Sequence, residues 1–268
     1  MSSVPSYEWR PVSLLRGRQP QSEGPADFAL LVLNQPVKQS QVFDSLWTNA
    51  LLRVAADGGA NRLLELNKAA QSQTQNTNTP QTNLDAIIGD LDSLSTASRE
   101  FFAKQEKPTQ IIHLTDQDST DFSKAVSWIR SRDGPNIDIV ALGGLGGRVD
   151  QGLSQVHHLY LFQPGPDYSL GKMYLVSGQS LTFLLLPGRH HVRVREGGED
   201  VFAKYVGIIP VGGTSFITTK GLEWDVENWE TKFGGHISTS NHVLPETKVV
   251  EVETTNTVLF TIALAGIE

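Results

Sequence analysis

Continuous apolar runs alternate with amphipathic stretches over the first two-thirds of the chain. Residues 28–33 (FALLVL), 51–56, 86–88, 111–114 and 137–142 are apolar runs of strand length. Runs apolar on both faces suit strands buried in a parallel sheet. Between them lie helical patterns. Ser95 is placed to cap a helix over 96–105 and Thr120 one over 121–130. Val149, Leu153, Val156 and Tyr160 recur at helical spacing and predict a third helix over 149–162. This rhythm predicts an α/β layer built on a mostly parallel sheet. From about residue 173 the texture changes. Short strand-like runs at 173–176, 181–186, 192–195, 205–211, 214–219, 236–240, 248–252 and 258–264 are separated by Gly, Pro or Asn. That pattern predicts a β-sandwich. The expected architecture is an N-terminal, mostly parallel α/β domain with Rossmann-like layers over 1–186, then a C-terminal all-β sandwich over 187–268. Residues 71–83 (QSQTQNTNTPQTN) read as a mobile polar surface insertion, and 163–171 as another loop.

Composition narrows the classes. The chain has 268 residues, 39% of them hydrophobic, enough for a substantial core. Its net charge of −7 disfavours nucleic acid as a partner, because phosphate backbones select a basic face. There is no cysteine, which excludes disulfides and thiolate zinc sites. Residues 1–21 lack the apolar core of a signal peptide, and no run approaches the 18 or so apolar residues of a membrane span. A soluble, cytoplasmic protein is expected.

The chemistry concentrates at strand ends. Gly89-Asp90-Leu91-Asp92-Ser93 and Asp116-Gln117-Asp118-Ser119-Thr120-Asp121 each follow an apolar run. Two like charges about 4 Å apart cost roughly 4 kcal/mol at an effective dielectric near 20. A bound divalent cation relieves such repulsion, and an oxygen-only donor set favours Mg2+. Two further segments follow predicted strands, Asp57-Gly58-Gly59-Ala60-Asn61 and Gly143-Gly144-Leu145-Gly146-Gly147-Arg148-Val149-Asp150. Ligands of parallel α/β sheets bind beyond the carboxyl ends of the strands, so all four loops are expected to share one crevice. The glycine loop lets backbone N–H groups approach an anion at a helix start, with Arg148 available for a forked phosphate contact. No Walker, Gly-x-Ser-x-Gly or His-Glu-x-x-His pattern occurs. His157-His158 reads as helix surface and packing rather than a metal pair, since adjacent helical positions diverge. In the sandwich, Trp224 follows a Gly turn and, if exposed, suits a flat or cationic heterocycle; Ser238-Thr239-Ser240-Asn241 stands out beside it.

Taken in order, these motifs resemble the thiamine pyrophosphokinase family of eukaryotic type. The resemblance runs from about Ala29 to the C-terminus. Besides the four loops it includes Gly207-Ile208-Ile209-Pro210-Val211-Gly212, Gly221-Leu222-Glu223-Trp224 and Ser238-Thr239-Ser240-Asn241. The segments at 71–83 and 163–171 depart from the family pattern, and Ser119 stands where a histidine is frequent. The resemblance implies transfer of the pyrophosphate group of ATP to the hydroxyl of thiamine, giving thiamine diphosphate and AMP. It implies a homodimer with the active site between the α/β domain of one subunit and the sandwich of the other. It assigns Mg2+ to Asp90, Asp92 and Asp121. Gln117 would face the thiamine pyrimidine, with Trp224, Ser240 and Asn241 of the partner closing over it. Asp57, Asn61, Gly144, Gly146, Gly147, Arg148 and Asp150 would complete the binding crevice. Asp92, Asp118, Asp121 and Arg148 form the catalytic set, with Asp92 and Asp118 the two candidates to accept the hydroxyl proton. The alternatives are a metal-dependent phosphohydrolase with an aspartate nucleophile, for which Asp90-Leu91-Asp92 after a strand would serve, and a non-catalytic thiamine or nucleotide sensor.

Overall fold

A computed structural model describes residues 4–16, 27–37, 40–72, 82–132, 137–198 and 200–266, which form two units. The α/β unit comprises the described residues of 27–162 and 169–178. The β unit comprises the described residues of 4–16, 163–168 and 179–266.

The β unit begins with β1 (Ser6–Trp9) and α1 (Pro11–Leu15). The α/β unit then runs β2 (Phe28–Val32), α2 (Gln41–Asn49), β3 (Leu52–Ala56), α3 (Gly59–Ser72), β4 (Ala86–Gly89), α4 (Thr96–Ala103), β5 (Gln110–His113), α5 (Asp121–Arg130), β6 (Asp138–Leu142), α6 (Val149–Phe162) and β7 (Met173–Val176). Its strands lie in the order β7-β6-β2-β3-β4-β5, and every pair is parallel. Residues on both faces of β2, β4 and β7 are buried, as expected where helices cover both sides of a parallel sheet. Helix starts follow side-chain capping. Ser40, Ser95 and Thr120 each accept a hydrogen bond from the backbone N–H three residues on. The chain leaves β2 in one direction through β3, β4 and β5 and returns to its other side with β6 and β7. The strand order therefore reverses between β2 and β6, and the crevice of such a sheet opens at that reversal.

The β unit continues with β8 (Ser180–Leu185), β9 (Gly188–Arg193), β10 (Phe202–Ile209), β11 (Ser215–Lys220), β12 (Trp229–Thr231), β13 (Ser238–His242), β14 (Val249–Thr254) and β15 (Val258–Leu264). One sheet has the order β1-β9-β14-β11-β12; in the other, β13-β10-β15-β8 are neighbours in antiparallel pairing. Val192, Val250, Val252 and Ile217 of the first sheet are buried, as are Leu181, Phe183, Ile208, Phe260 and Ile262 of the second. Their burial makes this unit a sandwich with one core.

Two strands expected in the α/β domain belong to the β unit, together with residues 163–168, so the units do not divide at 186/187. Ser180–Leu185 pairs antiparallel with β15 from Ser180↔Ala263 to Leu185↔Val258. The N-terminal Ser6–Trp9 pairs in parallel with β9. Trp9 is fully buried, stacks on Phe183 at 4.3 Å, and donates its indole N–H to His190 Nδ1 at 3.0 Å. A large aromatic with its polar group satisfied anchors this short strand. Most of the polar insertion expected at 71–83 lies outside the described residues, but positions 71 and 72 belong to the last turn of α3 and Asn83 accepts from Trp47 Nε1 at 2.8 Å.

Candidate active site

The carboxyl ends of β3, β4 and β5 bring Asp57, Asp90 and Asp121 together, with one ligand atom from each within 4.8 Å of the others. Asp57 directly follows β3 and takes the left-handed backbone, φ 40°, which turns its side chain back under the neighbouring loop. It is 3% exposed. Its Oδ2 accepts from the Ser93 N–H at 2.9 Å, and its Oδ1 is buried with no hydrogen-bond partner among the described residues. Burial pushes the Asp57 carboxyl above the usual range; the Ser93 N–H opposes this, and the nearby Asp121 and Asp90 charges add to the rise. Asp121 opens α5, where the helix dipole favours a carboxylate. Its Oδ1 accepts from the Asp90 N–H at 3.2 Å and from Lys124 Nζ at 3.3 Å. Lys124 Nζ also lies 3.8 Å from Asp90 Oδ2. An orphaned buried carboxylate oxygen beside two more carboxylates is a donor set that fits a hard divalent cation.

The surrounding backbone is built for close approach. A Cβ on Gly89 would meet Asp121 Oδ1 and Asp57 Cβ, both at 2.8 Å. Asn61 bridges two turns of the next loop: its Nδ2 donates to Ser93 O at 2.7 Å and its Oδ1 accepts from the Ser95 N–H at 3.0 Å. Asn61 thus holds the acidic loop in place. Asp92 lies outside the three-carboxylate group. It is exposed, and its N–H donates to Asp90 Oδ1 at 3.2 Å across Leu91, whose φ of 63° turns the chain between the two acids.

Gln117 and Asp118 are exposed on the turn after β5, where the Asp118 N–H donates to Asp116 Oδ1 at 3.0 Å. The Ser119 hydroxyl also donates to Asp116 and is the main reason this carboxyl sits below its usual range; the Asp118 N–H adds to that and Lys124 contributes less. Asp116 therefore organises the turn that presents Gln117 and Asp118. His158 pins the start of α5 to α6. It is buried and stacked on Phe122, with Nε2 at 2.8 Å from both the Thr120 and Ser123 hydroxyls and Nδ1 against the Ser154 carbonyl. The carbonyl can only accept, so Nδ1 carries the proton and Nε2 accepts from the hydroxyls. The packing role expected for His158 agrees with this geometry. Burial lowers its pKa. The unfolded chain therefore takes up the proton first. The His158 contribution is complete above about pH 6.5 and is lost as pH falls through that value towards the folded pKa. Urea unfolding is expected to lose stability through this group as pH falls below about 6.5, and His158→Gln to flatten that slope. Equal slopes in the two proteins would remove His158 as the cause.

The glycine loop follows β6 and leads into α6. The N–H groups of Gly143 and Gly144 both donate to Val176 O, and that of Leu145 to Gln155 Oε1. The first half of the loop is thus committed internally. Gly146 and Gly147 are exposed at the helix start. Arg148 makes its forked contact with Asp150, through Nε at 3.1 Å and Nη2 at 2.5 Å, and both side chains are largely exposed. Two residues after β2 belong to this region without any motif to mark them. Asn34 accepts from Arg62 Nε at 2.9 Å and fills the space beside Gly58, and Gln35 covers Gly147. Their only sequence signal is position, just past the central apolar run.

In the β unit, Trp224 is 55% exposed. Its backbone is clamped by the buried Asn241, whose Oδ1 accepts from the Trp224 N–H at 3.2 Å and whose Nδ2 donates to Trp224 O at 2.9 Å. Asn241 therefore positions the Trp224 turn. Ser240, at φ 56°, is exposed beside it. The His242 ring lies 5.1 Å from Trp224 and 5.2 Å from the half-exposed Tyr205.

Carboxylates gathered at the ends of a parallel sheet, a glycine loop at a helix start and an attached sandwich define an α/β enzyme of the phosphoryl-transfer class. Comparison with known proteins gives the particular family. Residues 43–167 match the model of the thiamin pyrophosphokinase catalytic domain, and residues 189–259 that of the thiamin pyrophosphokinase vitamin B1 binding domain. Thiamine pyrophosphokinase 3 of Oryza sativa subsp. japonica is 35% identical over 246 residues, covering 89% of this chain and 88% of that protein. Thiamine pyrophosphokinase 2 of Arabidopsis thaliana is 35% identical over 245 residues, covering 88% and 86%. The fold matches that of thiamin pyrophosphokinase from Candida albicans with a TM-score of 0.78 at 23% identity, over 98% of this chain and 95% of that one. The chain belongs to the thiamin pyrophosphokinase family, eukaryotic type, and is an enzyme of that family.

Proposed function

We propose that the protein transfers the pyrophosphate group of ATP to the hydroxyl of thiamine, with Mg2+, as a cytoplasmic homodimer whose active sites combine the α/β unit of one subunit with the sandwich of the other. The observation that carries the metal part is the buried Asp57 Oδ1, without a partner among the described residues, beside Asp90 and Asp121. Asp57, Asp90 and Asp121 would hold the cation, with Asp92 at the outer edge of the group. Bound there, Mg2+ would offset the charge of the phosphate chain and polarise its phosphoryl oxygens. Phosphoryl-type transfer needs positioning and charge neutralisation more than covalent help from the protein. Gly146 and Gly147, exposed at the start of α6, would offer backbone N–H groups to phosphate oxygens, and Arg148 would trade its exposed Asp150 contact for them. Asp92 and Asp118, both exposed, are the carboxylates available to accept the hydroxyl proton. Gln117 and, from the second subunit, Trp224 and Ser240 would hold the thiamine rings, with Asn241 fixing the Trp224 turn; an exposed indole face suits a cationic heterocycle.

The test is AMP release by the purified protein. It is expected to require thiamine, ATP and Mg2+ together. Phosphate release with no need for thiamine would replace this reading with that of an aspartate-nucleophile phosphohydrolase, and ligand binding without turnover would replace it with a sensor.

A further inference from the structure

Lys124 lies one turn into α5, three residues after Asp121, and only 3% of its side chain is exposed. Removing an ammonium from water costs several kcal/mol unless it is paired. Its ion-pair partners among the described residues, Asp121 Oδ1 at 3.3 Å and Asp90 Oδ2 at 3.8 Å, are both members of the three-carboxylate group. With all three carboxylates ionised and Lys124 charged, the group carries −2, which one divalent cation neutralises. Without Lys124 it carries −3. We infer that Lys124 is a resident counter-ion and positioning residue: it holds Asp90 and Asp121 together before metal arrives and restrains their affinity for free divalent cation, so that the metal is taken up with the nucleotide phosphates rather than alone. The inference rests on the reading of these carboxylates as a divalent-cation site.

Calorimetric titration with Mg2+ alone, and thermal melts with and without it, test this directly. Lys124→Met, close in shape but uncharged, is expected to melt lower without metal. It is also expected to bind Mg2+ at least about tenfold tighter than the unsubstituted protein, since one repelling charge is gone, and to gain more melting temperature from Mg2+. Lys124→Arg is expected to stay near the unsubstituted protein in both respects. A Lys124→Met protein that melts lower yet binds Mg2+ equally or more weakly overturns the inference and leaves Lys124 a packing residue. If neither protein responds to Mg2+, alone or with ATP, the divalent-cation reading itself fails. Should Lys124→Met not fold alone, Asp90→Asn combined with Lys124→Met removes one charge of each sign and is expected to melt near the unsubstituted protein. A double variant that fails in the same way overturns the inference.

Discussion

Asp57→Asn is expected to leave a folded, slightly more stable protein that has lost about 10³-fold in turnover. The side chain is buried with one oxygen unpaired among the described residues, and two carboxylates lie close to it. Its pKa is raised mainly by burial, so the native state binds the proton more tightly than the unfolded chain does. By linkage, the stability this group contributes is greatest at low pH and is lost as pH rises through the folded pKa. Near pH 7 the ionised Asp57 therefore costs stability. Asparagine keeps an oxygen to accept from the Ser93 N–H, offers an amide to the neighbouring carboxylates, and tolerates the left-handed backbone well. A gain on the order of 1 kcal/mol would raise the melting temperature by about 2–4 °C without metal. That gain should shrink as pH is lowered towards 4. The same exchange removes an anionic ligand from the proposed cation site. Losing several kcal/mol of charge stabilisation in the transition state corresponds to about 10³ in rate. Thermal melts across pH and the AMP-release assay check the two halves separately. Turnover within tenfold of the unsubstituted protein would take Asp57 out of the metal set; a lower melting temperature at pH 7 would contradict the charge argument.

The fold was largely legible because its signals are local. Residues 28–33 and 86–88 are apolar on both faces and became β2 and β4. Thr120 before Asp121 marked the start of α5, and the predicted span of 121–130 matches it. What escaped depends on distant partners. Ser6–Trp9 alternates weakly over four residues, and its pairing with β9 lies about 180 residues away. The site was legible as a set of loops but not as a set of distances. Asp90 and Asp92 read as a pair, yet across Leu91, with its positive φ, only Asp90 joins the three-carboxylate group, while the left-handed turn at Asp57 brings in a carboxylate that the sequence assigns to the wider crevice. Asn61 and Asn241 stand out in the sequence as candidate ligand contacts; their loop-tying bonds are not legible there, because they depend on which distant backbone N–H and C=O groups the fold brings to one amide. Lys124 had a usable signal in its i+3 spacing from Asp121, which puts the two on neighbouring faces of one helix.

Gly89→Ala is expected to cost turnover within about tenfold of what Asp57→Asn costs, although it alters no functional group. Gly89 ends β4 between the loops that carry Asp57 and Asp121. Its φ is not in the left-handed region, so alanine brings no backbone strain, and the effect is one of space. An added methyl would sit 2.8 Å from Asp57 Cβ, an atom fixed by its own backbone, and 2.8 Å from Asp121 Oδ1. Asp121 can rotate away only by giving up the hydrogen bonds from the Asp90 N–H and Lys124, and Asp57 can retreat only if the end of β3 moves. Overpacking of this kind costs about 1–3 kcal/mol, equivalent to about 2–12 °C of melting temperature in a protein of this size. A displacement of the order of 1 Å in a positioned catalytic group costs about 10²-fold in rate. The expected outcome is therefore a folded protein with a lowered melting temperature, turnover reduced about 100-fold, and a weakened response to Mg2+, because the carboxylates no longer converge. Full turnover and an unchanged melting temperature in Gly89→Ala would show that the three carboxylates do not need their close approach, and would weaken the cation site at its geometric foundation.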